Sequence, residues 1–274
     1  MNMNRKLFLT DLDDTLLCRD KTISAGNRMA LEEARRQGHY MAICTGRAIS
    51  SARKLAKELD IYHKDCFIIS FNGSQIFDCH EERLIYRRSV PKEIVRFCFD
   101  EAAAFGINMQ TYNDEAVLVE RDNPDIKEYI SIQVLPYRVV PNVLDALPED
   151  PPKVLVVEYR NPEKVMRFRR QIEPKLAGKA DIFMSHDDMM EIVPPGVNKG
   201  LAVQILCEHL GIPVENSVAA GDAENDLTMI QAAGVGCAMS NAEPAVKAAA
   251  DYVTERDCDH DGVAEILERF VLNR

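Results

Sequence analysis

The residues of this 274-residue chain that could do chemistry fall in four short segments. DLDDT (11–15) places Asp11, Asp13 and Asp14 just behind the apolar run Leu7-Phe8-Leu9. TGR (45–47) offers the hydroxyl of Thr45, backbone N–H groups around Gly46, and the cation of Arg47, a set that suits a phosphate oxygen. NKG (198–200) supplies Lys199, and GDAEND (221–226) supplies Asp222, Asn225 and Asp226. If these segments meet, Asp11, Asp13, Asp222 and Asp226 face one lysine. Two carboxylates about 4 Å apart repel by about 4 kcal/mol at an effective dielectric of about 20, so such a gathering needs a counter-ion. A hard divalent cation with oxygen ligands answers that need, and Mg²⁺ is the usual choice beside phosphate. Taken singly, several residues have plainer readings. Asp14 suits a turn or a cap. Asp226 suits either a first-turn helix charge or a partner behind a metal. Arg47 suits a phosphate contact or a surface charge. Lys199 would begin a helix capped by Asn198, where the helix dipole disfavours a cation.

The elements that must position these segments alternate strand and helix. Residues 7–11 read as a buried strand. Ser24 caps a helix with Met29, Leu31 and Ala34 at helical spacing, stopped by Gly38. YMAIC (40–44) is a strand, 50–59 a helix, and CFIIS (66–70) a third strand. This β-α-β-α-β order predicts a doubly wound parallel sheet, in which ligands bind outside the carboxyl ends of the strands. All four segments stand at such ends or just after them. Past the tight-turn dipeptide Asn72-Gly73 the style changes to short strands (SQIFD, RLIYRR, INMQTY, AVLVE, KVLVVEY) with helices at about 91–105 and 162–176. LPEDPPK (147–153) reads as a loop. The α/β rhythm returns near MEIVPPGVNKG, with helices over 200–210, 224–233, 243–250 and 263–270 and strands SVAAG, GVGCAM and DYVT. The expectation is an α/β, Rossmann-like core over 1–84 and 185–274, interrupted by an α+β domain over 85–184.

The four segments in this order resemble the haloacid dehalogenase (HAD) superfamily of phosphotransferases. DLDDT matches its DxDx[TV] signature, Thr45 its second motif, Lys199 its third and GDAEND its fourth, and the resemblance covers nearly the whole chain. SFNG (70–73), MEIVPPGVNKG (190–200), GDAEND and DGVAEIL (261–267) look like the Cof-type branch, which carries a C2B-type α/β cap between the second and third motifs. The resemblance implies a Mg²⁺-dependent phosphatase that hydrolyses a small phosphorylated metabolite (sugar phosphate, nucleotide or cofactor phosphate) through an aspartyl-phosphate. Asp11 is then the nucleophile, and Asp13 the general acid and base, with a raised pKa expected for its first role. Asp11, the backbone carbonyl of Asp13, and Asp222 would bind Mg²⁺. Thr45, Lys199 and Asn225 would hold the phosphoryl group, with Asp226, Gly46 and Arg47 in support. A cap that closes over the site would select the leaving group, with Tyr112, Asn113, Asp114, Arg138, His186 and Asp187 as candidates to face it. One departure stands out: the position after Asp13, often glycine in this family, is Asp14. Aspartate tolerates unusual backbone angles better than most residues.

Two other functions share these features. A sugar phosphomutase or a dedicated sugar-phosphate phosphatase would use the same motifs. A receiver-like phospho-aspartate module would also cluster aspartates with a threonine and a lysine, but it needs about half this length and carries its phosphorylated aspartate on a different strand. Bulk properties narrow the partners. A net charge of −11 argues against general binding to nucleic acid or an anionic membrane. No apolar run reaches spanning length, and the N-terminus lacks a secretory pattern. The eight cysteines form no CxxC pair and several sit in apolar runs, as reduced cytoplasmic thiols would. The expected protein is a monomer or small homo-oligomer acting on a small molecule.

Overall fold

Buried apolar strands alternate with amphipathic helices from the first residues of the structure, a computed structural model. It describes residues 5–113, 115–133 and 135–272, with the backbone alone for 132 and 133. The first elements are β1 (Leu7–Thr10), α1 (Ala25–Arg36), β2 (Tyr40–Cys44), α2 (Ile49–Glu58), β3 (Cys66–Ser70), β4 (Gln75–Asp78) and β5 (Arg83–Arg87). There follow α3 (Lys92–Phe105), β6 (Met109–Tyr112), β7 (Val117–Val119), α4 (Pro124–Gln133), β8 (Tyr137–Val139), β9 (Val154–Val157), α5 (Pro162–Leu176), β10 (Asp181–His186) and β11 (Met189–Val193). The chain ends with α6 (Lys199–Leu210), β12 (Ser217–Gly221), α7 (Leu227–Ala232), β13 (Val235–Ala238), α8 (Pro244–Ala249), β14 (Tyr252–Val253) and α9 (Gly262–Phe270).

Packing divides the chain into two units, one of residues 1–46, 52–86 and 198–274, the other of 47–51 and 87–197. The first holds an eight-stranded sheet in the order β14-β13-β12-β1-β2-β3-β4-β5, parallel from β14 through β3 and turning antiparallel at β4. Every residue of β1 is buried, as a parallel strand covered on both faces requires. Leu7 and Leu9 pack with Ala202, Val203, Leu206 and Met229 of α6 and α7. Local signals act as the sequence predicts. Ser24 Oγ accepts from Asn27 N (3.3 Å) at the start of α1, and Gly38 takes φ +84° past its end. The helix expected over 224–233 begins instead as a 3-10 turn, Glu224–Asp226, before α7.

The second unit is a six-stranded sheet in the order β10-β11-β9-β6-β7-β8. Val95, Phe99, Val165, Phe168 and Ile172 of α3 and α5 pack with Met109, Val154, Val156, Met190 and Ile192 of one sheet face. This face explains a shift in boundary. The return to the core expected at 185 falls at 198, because β11 pairs with β9 and buries Met190 and Ile192 in this unit's core. Helix α4 and strand β8 were not foreseen, since PDIKEYISIQ shows little amphipathic contrast and YRV is too short for a period. The other face carries Gln110, Tyr112 and Glu191 among Val117, Val119 and Leu155, all of them buried. Lys153 Nζ lies 2.9 Å from Glu191 Oε2, and the Tyr112 and Tyr129 hydroxyls are 2.6 Å apart. Among the described residues no helix is long and apolar enough to cross a membrane.

Candidate active site

In the first unit β1 lies between β12 and β2, with β3 next, all parallel and in register. The carboxyl ends of four strands therefore share one edge of the sheet, and the chain's crossovers diverge on either side of β1. Asp11 follows β1, Asp222 follows β12, Thr45 follows β2, and the turn Phe71–Gly73 follows β3. The parallel ladder carries on one residue past β1, where Asp11 N donates to Ala220 O (3.0 Å).

Lys199, the first residue of α6, has no exposed surface. Its Nζ lies 2.6 Å from Asp11 Oδ1 and 2.5 Å from Asp226 Oδ1. Burial alone would lower the Lys199 pKa, but Asp11 and Asp226 outweigh it and keep the ammonium charged. The same two carboxylates offset the unfavourable end of the helix dipole. Asn198 caps α6 as expected, accepting from Leu201 N (2.8 Å). Asp226 is fully buried, and its second oxygen accepts from the backbone N–H groups of Asp222 (3.0 Å) and Ala223 (3.2 Å). It fixes both the lysine and the loop that carries Asp222.

Asp11, Asp222 and Asp226 each offer an oxygen within 4.8 Å of the others. Burial pushes the Asp11 carboxyl well above the usual range, and Asp226 and Asp222 add to this against the pull of Lys199. Burial likewise raises Asp222 to about 7, although Thr15 Oγ1 donates to its Oδ1 (2.6 Å). One ammonium thus leaves the cluster with excess negative charge. The donors are hard oxygens on largely buried side chains, a set that suits a small divalent cation, so the residues fit Mg²⁺.

The remaining predicted residues divide. Thr45 is buried, its N–H donating to Ile69 O (2.8 Å) and its carbonyl accepting from Asn72 N (3.0 Å). Gly46 lies against the Asn72 carboxamide, where a Cβ would come 3.2 Å from Nδ2. Asn225 Nδ2 donates to Asn72 Oδ1 (3.1 Å). Asp13 turns outward, half-buried, with Lys21 Nζ 3.1 Å from its Oδ1. Arg47 belongs to the second unit. Asp14 is exposed at φ +60°, with its carbonyl accepting from Asn241 Nδ2 (2.8 Å). A left-handed turn here accounts for the family's glycine and for an aspartate in its place. Thr15 and Asn72 were missed as site residues. Both stood in quoted motifs, but nothing in a linear sequence says that Thr15 holds Asp222 or that Asn72 meets Asn225.

Of the second-unit candidates, Tyr112 is engaged with Tyr129 and Asn113 Oδ1 caps a turn through Glu115 N and Ala116 N. His186 pairs with Asp188, Arg138 and Asp187 are exposed, and Asp114 lies outside the described residues.

Comparison with known proteins shows the family. Residues 8–267 match the family of haloacid dehalogenase-like hydrolases. The chain is 30% identical to the putative phosphatase YxeH of Bacillus subtilis, over 97% of this chain and 98% of that protein. It is 30% identical to that organism's 5-amino-6-(5-phospho-D-ribitylamino)uracil phosphatase YcsE, over 97% and 96%. It also matches, at 29% identity, the chloroplastic endoribonuclease YBEY of Arabidopsis thaliana, of which it spans 45% of the length. A solved haloacid dehalogenase-like hydrolase from Bacteroides thetaiotaomicron superposes with a TM-score of 0.88 at 33% identity, covering 97% of this chain and 99% of that one. The chain belongs to the haloacid dehalogenase-like hydrolase family and is, by class, a phosphoric monoester hydrolase.

Proposed function

We propose that this protein is a Mg²⁺-dependent phosphatase that releases phosphate from a small phosphorylated metabolite through an aspartyl-phosphate. The observation that carries the reading is the crowding of Asp11, Asp222 and Asp226 around one buried lysine at the ends of adjacent parallel strands. Mg²⁺ would be held by Asp11, Asp222 and the backbone carbonyl of Asp13, and when bound it offsets charge on the phosphoryl oxygens. Lys199 holds one oxygen of Asp11, which leaves the other as nucleophile. That oxygen attacks phosphorus, the ester P–O bond breaks, and Asp13 gives its proton to the leaving oxygen. Asp13 then takes a proton from water. The water oxygen attacks phosphorus, the P–O bond to Asp11 breaks, and phosphate leaves. Thr45, Lys199 and Asn225 bind the phosphoryl oxygens, Asp226 keeps Lys199 and the 222–223 loop in place, and Gly46 completes the support.

The core residues read only the phosphoryl group, so substrate choice is assigned to the second unit as a cap domain. Relatives carry names that point to small phosphorylated metabolites, among them the ribitylaminouracil phosphatase YcsE and an HMP-PP phosphatase of Cronobacter sakazakii. Sugar phosphates, nucleotides and cofactor phosphates form the substrate class proposed here. The eight cysteines are all free and buried, which supports a reducing cytoplasmic setting, and a monomer or small homo-oligomer would suffice.

The test is phosphate release across a panel of phosphorylated metabolites with Mg²⁺, with Asp11→Asn as blank. Turnover that stops on chelation and returns with Mg²⁺ is expected. Activity retained in Asp11→Asn, or under chelator, overturns the mechanism. Substitutions in the second unit should change relative rates between substrates, whereas core substitutions lower all rates together.

A further inference from the structure

We propose that Asn72 is a phosphate-binding residue, whose side-chain Nδ2–H group donates to the anion held by Thr45 and Lys199; the inference rests on the phosphatase reading above. Asn72 lies two residues past β3, in a turn where Phe71, Asn72 and Gly73 all take positive φ (+49°, +54° and +106°). This turn meets each of the loops assigned to the phosphoryl group. Asn72 N donates to Thr45 O (3.0 Å), and its carboxamide lies against Gly46, where a Cβ would come 3.2 Å from Nδ2 and 3.3 Å from Oδ1. Gly73 packs on the peptide before Lys199, with room for no side chain: a Cβ there would come 2.3 Å from Asn198 O. Asn225 Nδ2 donates to Asn72 Oδ1 (3.1 Å).

These contacts use the backbone N–H and the side-chain oxygen of Asn72. They leave its side-chain nitrogen. Asn72 is only 2% exposed, yet Nδ2 has no hydrogen-bond partner among the described residues. Buried amide donors are nearly always paired, because an unmade bond forfeits the water it replaced. An anion bound between the Thr45 loop and Lys199 supplies the missing acceptor. A neutral donor suits the place, because it orients a phosphoryl oxygen without pairing with the carboxylates that Lys199 and the metal must manage.

The experiment measures orthovanadate binding by titration calorimetry in Mg²⁺ solution, with the full chain as wild type, Asn72→Asp and Asn72→Gly. Both replacements tolerate the left-handed turn. In Asn72→Asp the retained oxygen still accepts from Asn225, and the donor becomes an acceptor. A loss of at least tenfold in vanadate affinity is expected for Asn72→Gly, and a larger one for Asn72→Asp. The Mg²⁺-induced rise in Tm should persist in both, showing an intact carboxylate cluster. Affinities within twofold of wild type overturn the proposal. If Asn72 only orients Asn225, adding Asn72→Gly to Asn225→Ala costs nothing further, which also overturns it; direct donation predicts a second loss of about the same size. Wild type that neither binds vanadate nor releases phosphate fails at the prior step, and refutes the phosphatase reading itself.

Discussion

Each unit of this protein buries a lysine against carboxylates, and the two arrangements differ in one respect. In the second unit Lys153 pairs with the one carboxylate of Glu191, both side chains nearly inaccessible, 2.9 Å apart. In the first, Lys199 faces Asp11 and Asp226, with Asp222 close by. The former pair matches one positive charge with one negative. The latter carries more carboxylates than its lysine can offset; burial raises Asp222 to about 7 and Asp11 well above its usual range, and the neighbouring carboxylates add to both. A balanced buried pair is a packing solution whose net worth is small, since desolvation consumes most of the attraction. An unbalanced one is relieved by protonation or by a further cation. Charge balance, more than burial or the presence of a lysine, distinguishes the second-unit pair from the cluster proposed to do chemistry.

The sharpest way to break the contrast is at the proposed nucleophile. Asp11→Asn should lower turnover by more than a thousandfold, about 4 kcal/mol of barrier, while circular dichroism stays unchanged. Activity above a thousandth of wild type, in a preparation free of other phosphatases, would remove Asp11 from that role. Next come the lysines. Lys199→Met leaves Asp11 and Asp226 unpaired, and should cost about 3–5 kcal/mol of core stability together with roughly 10²–10³ in kcat. Lys153→Met should cost a similar 3–5 kcal/mol, read in the unfolding of the second unit, because Glu191 is left buried alone. Replacing Lys153 and Glu191 together by apolar residues should bring that cost near zero. A double replacement as damaging as the single one would mean that the second-unit pair does more than pack. Metal supplies a smaller test. Mg²⁺ at about a hundred times its Kd should stabilise wild type by about 2.7 kcal/mol in calorimetry. Asp222→Asn should lose most of that rise, and Lys153→Met should keep it. The smallest effect concerns Asp14. Asp14→Gly should move stability by no more than about 0.5 kcal/mol, since the backbone angle there already suits glycine.

Much of this was legible before folding is considered. Strands such as YMAIC and CFIIS declare themselves by length and apolar content, and Ser24, Gly38 and Asn198 mark helix ends through local hydrogen bonding and backbone freedom. Those are properties of a few adjacent residues, and a sequence displays them directly. Helix α4 was not legible because its faces differ little in polarity. The boundary near 185–198 was not legible either, because strand β11 looks the same whichever sheet it joins.

The site divides along the same line. Its chemical types, and the order in which the strands would deliver them, could be read from DLDDT, TGR, NKG and GDAEND. The pairing of Lys199 with Asp226 as well as Asp11, the bond from Thr15 to Asp222, and the open amide of Asn72 could not. The conformation of Asp14 stands between the two. Its residue type allowed a left-handed turn, and its φ of +60° then showed one. The amino-acid sequence by itself determined most of the elements and which functional groups end the core strands, because those follow from local periodicity and turn chemistry. Only the tertiary structure decided which charges are balanced and which donors are left open, because both depend on distances between residues that are far apart in the chain.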